Sequence, residues 1–380
     1  MKKVLVFSMT ESGGLAEYVY HQSEAFERRG WHVVFLCSRK YFHSREIKFD
    51  AREALFSMPP LTYPALIRRM LLGTCILLNY LLLAIYIVRD RPAVVLLDSY
   101  REYLAPVWAL ILKGASLVSR SFMVANLHDP VRNFQVGPLW WHNFSVRQGY
   151  SFLHLVTVHA EAPHEAMIPA SVRKVIVPHG VFASKPSGKS RSELRDSLGI
   201  PREGFVVLSF GFVRDNKNID LLIRAIDKLP GLILVVAGRS QTSNDKPVSY
   251  YRDLAHSLHA DQRCIFIEEF VAPDRIPVLF EACDLVALTY ASSFYSQSGV
   301  LSLAASSTRP VLVSSAKGPL KETVEMFGLG RVISPDNLEE IISALREMSL
   351  ALPEPDWDAY YRFAGWDRNV SLIEKEFDEQ

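Results

Sequence analysis

Two α/β domains, each a parallel sheet covered by helices on both faces, are predicted by three features of the sequence. Short unbroken apolar runs alternate with helical patterns along most of the chain. The length, 380 residues with 49% hydrophobic and 22% charged content, is more than one compact domain needs. Midway, Ser184 to Ser192 (SKPSGKSRS) turns to the Ser, Lys, Pro and Gly composition of a linker.

Val4 to Met9 reads as a buried strand, and the Gly13-Gly14 loop opens a helix over Leu15 to Arg29 that Gly30 stops. Trp31 to Cys37 is the second strand. A helix over Ala65 to Val88, a strand over Ala93 to Leu97, a helix over Leu104 to Leu117 and strands over Ser121 to Asn126 and Leu155 to Val158 follow. After the linker the pattern restarts, with strands over Phe205 to Phe210, Leu232 to Ala237, Cys264 to Glu268, Leu285 to Leu288 and Pro310 to Ser314. Between them fall helices over Ile219 to Leu229, Ser249 to Leu258, Arg275 to Ala282 and Val300 to Ser306. Each half is therefore Rossmann-like, and the expected domains are 1–183 and 184–356. The aromatic and charged segment Trp357 to Phe377 reads as a pair of terminal helices, so that 357–380 joins the first domain.

Composition narrows the functions. With 42 Lys+Arg against 41 Asp+Glu the formal charge is +1, which leaves no long basic face for a nucleic-acid backbone. Cys37, Cys75, Cys264 and Cys283 are scattered in apolar contexts without CxxC spacing, as in a reducing compartment and without a thiolate metal site. The start, MKKVLVFSMTESGG, has too brief an apolar run for a signal-peptide core, so a cytoplasmic location is expected. Mean hydropathy is nevertheless +0.09, and much of the excess comes from Met70 to Val88, a run close to the roughly 20 residues that span a bilayer.

In open parallel sheets ligands collect at the carboxyl ends of the strands, so the strand-to-helix loops, and a crevice between the two halves, are where chemistry is expected. Gly13 and Gly14 let backbone amides and the positive end of a helix approach a phosphate. The pattern is not GxGxxG, and Ser38, Arg39 and Lys40 stand where a dinucleotide fold needs an acid, which disfavours nicotinamide. The matching loop of the second half, Gly211 to Asn218, sets Arg214 and Lys217 beside a helix start, costly unless an anion such as a diphosphate sits there. Solvated charge with Asp215 as local partner is the plainer reading of the same loop. Ser298, Gly299 and Val300 open an apolar helix and form either a second anion site or only a helix cap. His128 follows a buried strand, where it can hydrogen-bond a substrate hydroxyl, accept a proton or hold structure; His154, His159, His164 and His179 also lie near strand ends.

In order, the segments GGLAEYVYHQSEAFERRGWHVVFLC, NLHDP, VIVPHGVF, FGFVRDNKNIDLLIRAI, EEFVAPDRIPVLFEACDLVALTY and SQSGVLSLAASSTRPVLVS resemble retaining glycosyltransferases of the GT-B fold, especially family 4 of bacterial sugar transferases. The resemblance covers nearly the whole chain. It implies that Arg214 and Lys217 bind the donor diphosphate and that His128 lies near the transferred sugar. Gly13 and Gly14 would face the donor phosphate, and the helix start at Ser298, Gly299 and Val300 would hold the diphosphate by its amides. Phe270 and Val271 would lie near the nucleotide base, with Gly211 in the donor loop. The family's paired glutamates are replaced by Tyr295 and Leu303, as in a subgroup with SGV-type loops, and no Asp or Glu occurs between Asp284 and Glu322. The Arg usual just after the strand glycine is Phe212, with Arg214 taking over.

The expected activity is transfer of a hexose from a UDP- or GDP-sugar to a lipid-linked or polysaccharide acceptor, retaining and without a metal, in surface polysaccharide or glycolipid synthesis. An epimerase of nucleotide sugars has the same architecture but needs several carboxylates for moving protons, scarce in these loops. A degenerate scaffold for a partner transferase is favoured by the missing glutamates and opposed by His128, Arg214 and Lys217. Met70 to Val88 falls between two strands of one sheet, so it is expected as a domain helix, apolar almost all round. With Arg68 and Arg69 beside it, the surplus suggests peripheral contact with the inner face of the cell membrane.

Overall fold

The computed structural model describes residues 2–43, 46–60, 62–98, 101–130, 135, 137–162, 164–182, 186–240 and 245–379. The chain divides into two units, Met1–Gly180 with Ala364–Gln380, and Val181–Phe363. The boundary read from the sequence, between 183 and 184, and the linker's Ser184 and Lys185 lie outside the described residues.

The first unit runs β1 (Lys3–Phe7), α1 (Gly14–Arg28), β2 (His32–Ser38), α2 (Arg39–Phe42), β3 (Asp50–Leu55), α3 (Ala65–Asp90), β4 (Val94–Leu97), α4 (Ala105–Ser119), β5 (Phe122–Asn126), α5 (Leu139–Tyr150), β6 (Leu155–Val158) and β7 (Arg173–Ile176). The second runs α6 (Arg191–Ser197), β8 (Phe205–Phe210), α7 (Ile219–Lys228), β9 (Leu232–Ala237), α8 (Val248–Ser257), β10 (Cys264–Ile267), α9 (Ile276–Ala282), β11 (Leu285–Thr289), α10 (Gly299–Ser306), β12 (Val311–Ser314), α11 (Pro319–Phe327), β13 (Gly330–Ile333), α12 (Leu338–Leu350) and α13 (Trp357–Phe363). The last helix, α14 (Trp366–Asp378), belongs to the first unit.

Both sheets are parallel, with strand orders β3-β2-β1-β4-β5-β6-β7 and β10-β9-β8-β11-β12-β13. Successive strands therefore build outward in one direction, and the order then reverses. The switch lies between β1 and β4 in the first sheet, where Phe7 pairs with Leu97, and between β8 and β11 in the second, where Leu208 pairs with Val286. The loops at the carboxyl ends of these strands diverge and leave the position where open α/β sheets take ligands. Central strands are apolar on both faces: Val4, Leu5, Val6 and Phe7 are wholly buried, as are Val206, Val207 and Leu208.

The three strands that the apolar runs do not mark, β3, β7 and β13, are all edge strands. Edges are covered on fewer sides and carry charge. In β3, Arg52 pairs with Asp50 at 2.9 Å and reaches Asp90 at 2.6 Å. All four cysteines are free and buried.

One face of α3 is built into the first core: Ile76, Tyr80, Leu83 and Ile87 are buried, and Tyr80 stacks on Trp108 of α4 with ring centroids 3.9 Å apart. Its opposite face, Ile67, Leu71, Leu78, Leu81, Ile85 and Val88, is exposed. By length and composition Leu66–Asp90 is long and apolar enough to cross a membrane, with 39% of its most apolar stretch buried. The inner stripe ties it to the sheet as a domain helix.

The C-terminal α14 packs on α1 and closes the first unit. Trp366, Asn369, Val370 and Ile373 are buried beneath it. Its rim is pinned by Arg29–Glu374 at 2.5 Å and by the Trp31 indole donating to Glu374 at 2.6 Å.

Candidate functional site

In the second unit the expected residues meet at the β8/β11 switch point. Phe210 ends β8, Gly211 turns at φ +92°, and the chain passes Arg214 into a single 3₁₀ turn, Asp215–Lys217, ahead of α7. The Lys217 ammonium returns to the end of β8, donating to the Phe210 carbonyl at 2.5 Å. It stands 3.3 Å from where a Cβ on Gly211 would be, and a Val300 methyl lies 4.0 Å from the same point. Gly211, Lys217 and the start of α10 thus converge. Gly238, directly after β9, approaches so closely that a Cβ there would run into the Gly211 carbonyl oxygen. Two bonds tie the loop to β11: the Thr289 hydroxyl donates to the Lys217 carbonyl at 3.0 Å and the Ala291 amide to the Asn216 carbonyl at 2.8 Å.

Burial first, and then the neighbouring Arg214 charge, push the Lys217 ammonium down to about 7. Asp215 does not offset it. That carboxylate accepts from the Lys246 amide at 3.0 Å and the Tyr251 hydroxyl at 3.2 Å. Among the described residues Lys217 has no ion-pair partner, and a desolvated ammonium beside a like charge is stabilised by any anion that arrives. In the same turn the buried side-chain oxygen of Asn216 has no hydrogen-bond partner among the described residues, an acceptor left for a ligand donor.

Ser298 caps α10: its hydroxyl accepts from the Val300 amide at 3.3 Å and lies 2.9 Å from the Tyr290 hydroxyl. Its side chain is thus committed to the helix end, and Gly299 presents bare backbone there. Phe270 is exposed and Val271 buried. The Arg239 guanidinium lies 5.5 Å from the Phe270 ring centroid. Arg239 follows Gly238 directly and is a further cation at this end of the sheet, one that the same strand-end logic would have found.

In the first unit Gly13 caps α1 at φ +84°, and a Cβ on Gly14 would meet no atom within 4 Å. The backbone there is open to a ligand. His128, after β5, is part of a larger group. Its Nε2 lies 3.5 Å from Asp98, a wholly buried carboxylate after β4 that also accepts from Ser8 at 3.2 Å. Its Nδ1 lies 3.3 Å from His159 Nε2, and His159 Nδ1 lies 3.1 Å from the Val177 carbonyl. The rings of His128, His159, His179 and Trp366 all stand edge-on to Tyr18, with centroids 4.5 to 5.6 Å away.

The carbonyl fixes the role of one ring nitrogen. A carbonyl only accepts, so His159 donates from Nδ1 and its Nε2 is left to accept from His128. His128 thus stands between His159 on one side of its ring and the Asp98 carboxylate on the other. Burial, then the neighbouring histidines, holds His159 well below its ordinary range and pushes His179 down to about 3. Those two are neutral, and His128 stands in front of a buried acid. His154 is elsewhere, accepting from the Met123 amide at 2.9 Å.

The sequence reading passed over Asp98 and Tyr18, and over a buried chain that holds the group. Asn369 of α14 donates to the Tyr18 hydroxyl at 2.8 Å and the Pro178 carbonyl at 2.9 Å, and accepts from Gln22 at 2.8 Å. Gln22 accepts from Asn126 at 2.7 Å, which accepts from Thr157 at 2.7 Å. An acid directly after an apolar strand is the signal for Asp98; nothing local marks Asn369.

Residues 190–352 match the family described as "Glycosyl transferases group 1". The D-inositol 3-phosphate glycosyltransferase of Mycobacteroides abscessus is 28% identical over 196 residues, 51% of this chain and 41% of that protein. The chain thus spans about two-fifths of the length of that relative. Among solved structures, Anabaena Alr3699/HepE in complex with UDP is similar at TM-score 0.66 and 19% identity, covering 99% of this chain and 96% of that one. A glycosyltransferase from Rickettsia africae gives 0.73 at 13% identity, covering 100% and 98%. These likenesses show the fold, the two-domain α/β class expected from the sequence.

Proposed function

We propose that this chain, in which residues 190–352 form a glycosyl transferases group 1 domain, moves a hexose from a nucleoside-diphosphate sugar to a lipid-linked or polysaccharide acceptor. The enclosed Lys217 ammonium carries the reading: it is desolvated beside Arg214 and has no carboxylate partner among the described residues. A diphosphate is an anion of the right charge for two converging cations and a helix start.

The donor's bond from the sugar carbon to the diphosphate oxygen breaks, and the negative charge that grows on the leaving diphosphate is met by Arg214, Lys217 and the α10 backbone. The acceptor hydroxyl attacks the face from which the diphosphate departs, giving retention, as the family resemblance implies. His128, beside Asp98, is the residue that the family resemblance puts near the transferred sugar. Asn216 is placed to take a further hydroxyl, and Phe270 with Arg239 offers a stacking surface for a base. UDP in the Anabaena protein supports a uridine donor over a guanosine one.

The electrostatics give a test of donor binding. Anion binding raises the Lys217 pKa above its ligand-free value of about 7, so between the two values binding takes up a proton and weakens as pH rises, by about tenfold per pH unit at most. Calorimetric titration with UDP and with GDP, in buffers of different ionisation enthalpy on the alkaline side of 7, should show uptake of about one proton with the base that binds. Binding of neither nucleotide, or binding without proton exchange, would remove the diphosphate from Lys217. Transfer should also proceed undiminished in EDTA, because cations of the protein replace a metal at the leaving group. Activity abolished by chelation and restored by magnesium would sink that mechanism.

The acceptor side of the proposal rests on α3. Its outward face is an apolar stripe along a 26-residue helix that carries Arg68 and Arg69 near its start. A helix of this kind lies against a bilayer surface with its cations at the headgroups. Such contact brings a cytoplasmic enzyme to a lipid-borne acceptor.

A further inference from the structure

At the β7 edge of the first sheet, a cavity of about 300 Å³ is lined by Arg147 of α5, by Ala162, His164, Met167 and Ile168 after β6, and by Lys174 of β7. The charge around it is one-sided. No carboxylate lines it, and among the described residues neither Arg147 nor Lys174 forms an ion pair. Glu161 and Glu165, in the same segment, are exposed and are not part of the lining. Met167 and Ile168 pack against the core, so the cavity joins a cationic rim to an apolar floor.

The surroundings say what kind of anion fits. Trp140, Phe144 and Arg147 are spaced by four and three residues on α5, one helical face, with Trp140 68% and Phe144 44% exposed. α5 packs on α4, where Leu110, Ile111, Leu117 and Val118 are exposed, and α4 packs on α3 with its own bare stripe. Across α3, α4 and α5 the sole acid is Asp90, bound to Arg52 and Arg89. Exposed apolar surface of this extent with unopposed cations complements an anionic bilayer.

We infer that the Arg147/Lys174/His164 cavity receives the phosphate-bearing headgroup of an anionic lipid, whose apolar part lies along the exposed faces of α5 and α4. The inference rests on the membrane contact proposed for α3 and gives it a lipid preference. It is separate from the transfer site. Lys174 pairs in register with Val156 near the start of β6, whereas His128 and Asp98 follow the carboxyl ends of β5 and β4.

The test is co-flotation of the full chain with vesicles of neutral phosphatidylcholine, with or without anionic phosphatidylglycerol. Wild type should partition onto both and prefer the anionic ones. Arg147→Ala with Lys174→Ala should reduce partition onto anionic vesicles by about 10- to 30-fold, from two cations near the surface. It should leave the neutral vesicles and the UDP titration unchanged. Leu81→Ser with Ile85→Ser should weaken binding to both kinds. Wild type that binds neither overturns the membrane contact itself. Wild type that prefers anionic vesicles, with the Arg147/Lys174 variant equal to it, overturns the headgroup site alone. Inorganic phosphate that raises the melting temperature of wild type but not of that variant, with equal vesicle binding, assigns the cavity to a free anion and also overturns it.

Discussion

Changing Lys217 to alanine lowers the rate of sugar transfer by about 10²- to 10³-fold, the loss typical of removing one donor aimed at developing charge. The fold survives, because the ammonium makes one hydrogen bond, to the Phe210 carbonyl, and its burial opposes its own charge. The sign of the stability change identifies the cause. The folded-state pKa, about 7, lies below the unfolded value of about 10.5. The charged lysine therefore weighs against folding most heavily below pH 7, and the weight lifts as pH rises from 7 towards 10.5. Without ligand, the alanine variant should match or exceed wild type in chemical denaturation at neutral pH, and its advantage should shrink on the alkaline side. A variant with wild-type turnover shows that Lys217 does not meet the leaving diphosphate. A variant that unfolds readily shows that the side chain is a structural strut.

Changing Asn369 to leucine costs the first unit about 3 to 5 kcal/mol, because the buried Gln22 amide and the Pro178 carbonyl lose their partner together and Tyr18 loses a donor. The substitution is close in volume, so the loss is polar rather than a cavity. The consequence reaches the site: Tyr18 carries the edge contacts of His128, His159 and His179, and Asn369 fixes its hydroxyl. Denaturant unfolding followed by tryptophan fluorescence should show an earlier transition for the first unit, while UDP still protects the second. A cost under about 1 kcal/mol would mean that the chain from Asn369 to Thr157 is not a support.

How much was legible follows burial. Strands apolar on both faces, such as Val4–Phe7 and Val206–Leu208, leave an unbroken run that only a doubly covered parallel sheet explains. The edges β3, β7 and β13 carry Asp, Arg, Lys and Gly in short segments, and their pairing is set by neighbours rather than by composition. Helix α12 had a readable mark, Asn337 three residues before Glu340 with Ile341, Ile342, Leu345 and Met348 behind. Arg214, Lys217, Gly211 and His128 were singled out as candidates because they stand after buried strands. Ser298 read as an anion or sugar site or as a helix cap, and its hydroxyl accepts from the Val300 amide.

By itself the sequence determined the class: two parallel α/β halves, and cations in the strand-to-helix loop of the second, because apolar periodicity and charge are local properties written in consecutive residues. Tertiary structure alone decided their chemistry. That Asp215 turns to Tyr251 and leaves Lys217 without a carboxylate partner among the described residues, that Asp98 and His159 flank His128, and that Asn369 reaches Tyr18 from the far end of the chain depend on which strands meet at a switch point. Protonation and charge balance in a buried site are set by neighbours distant in sequence, and only folding brings those neighbours together.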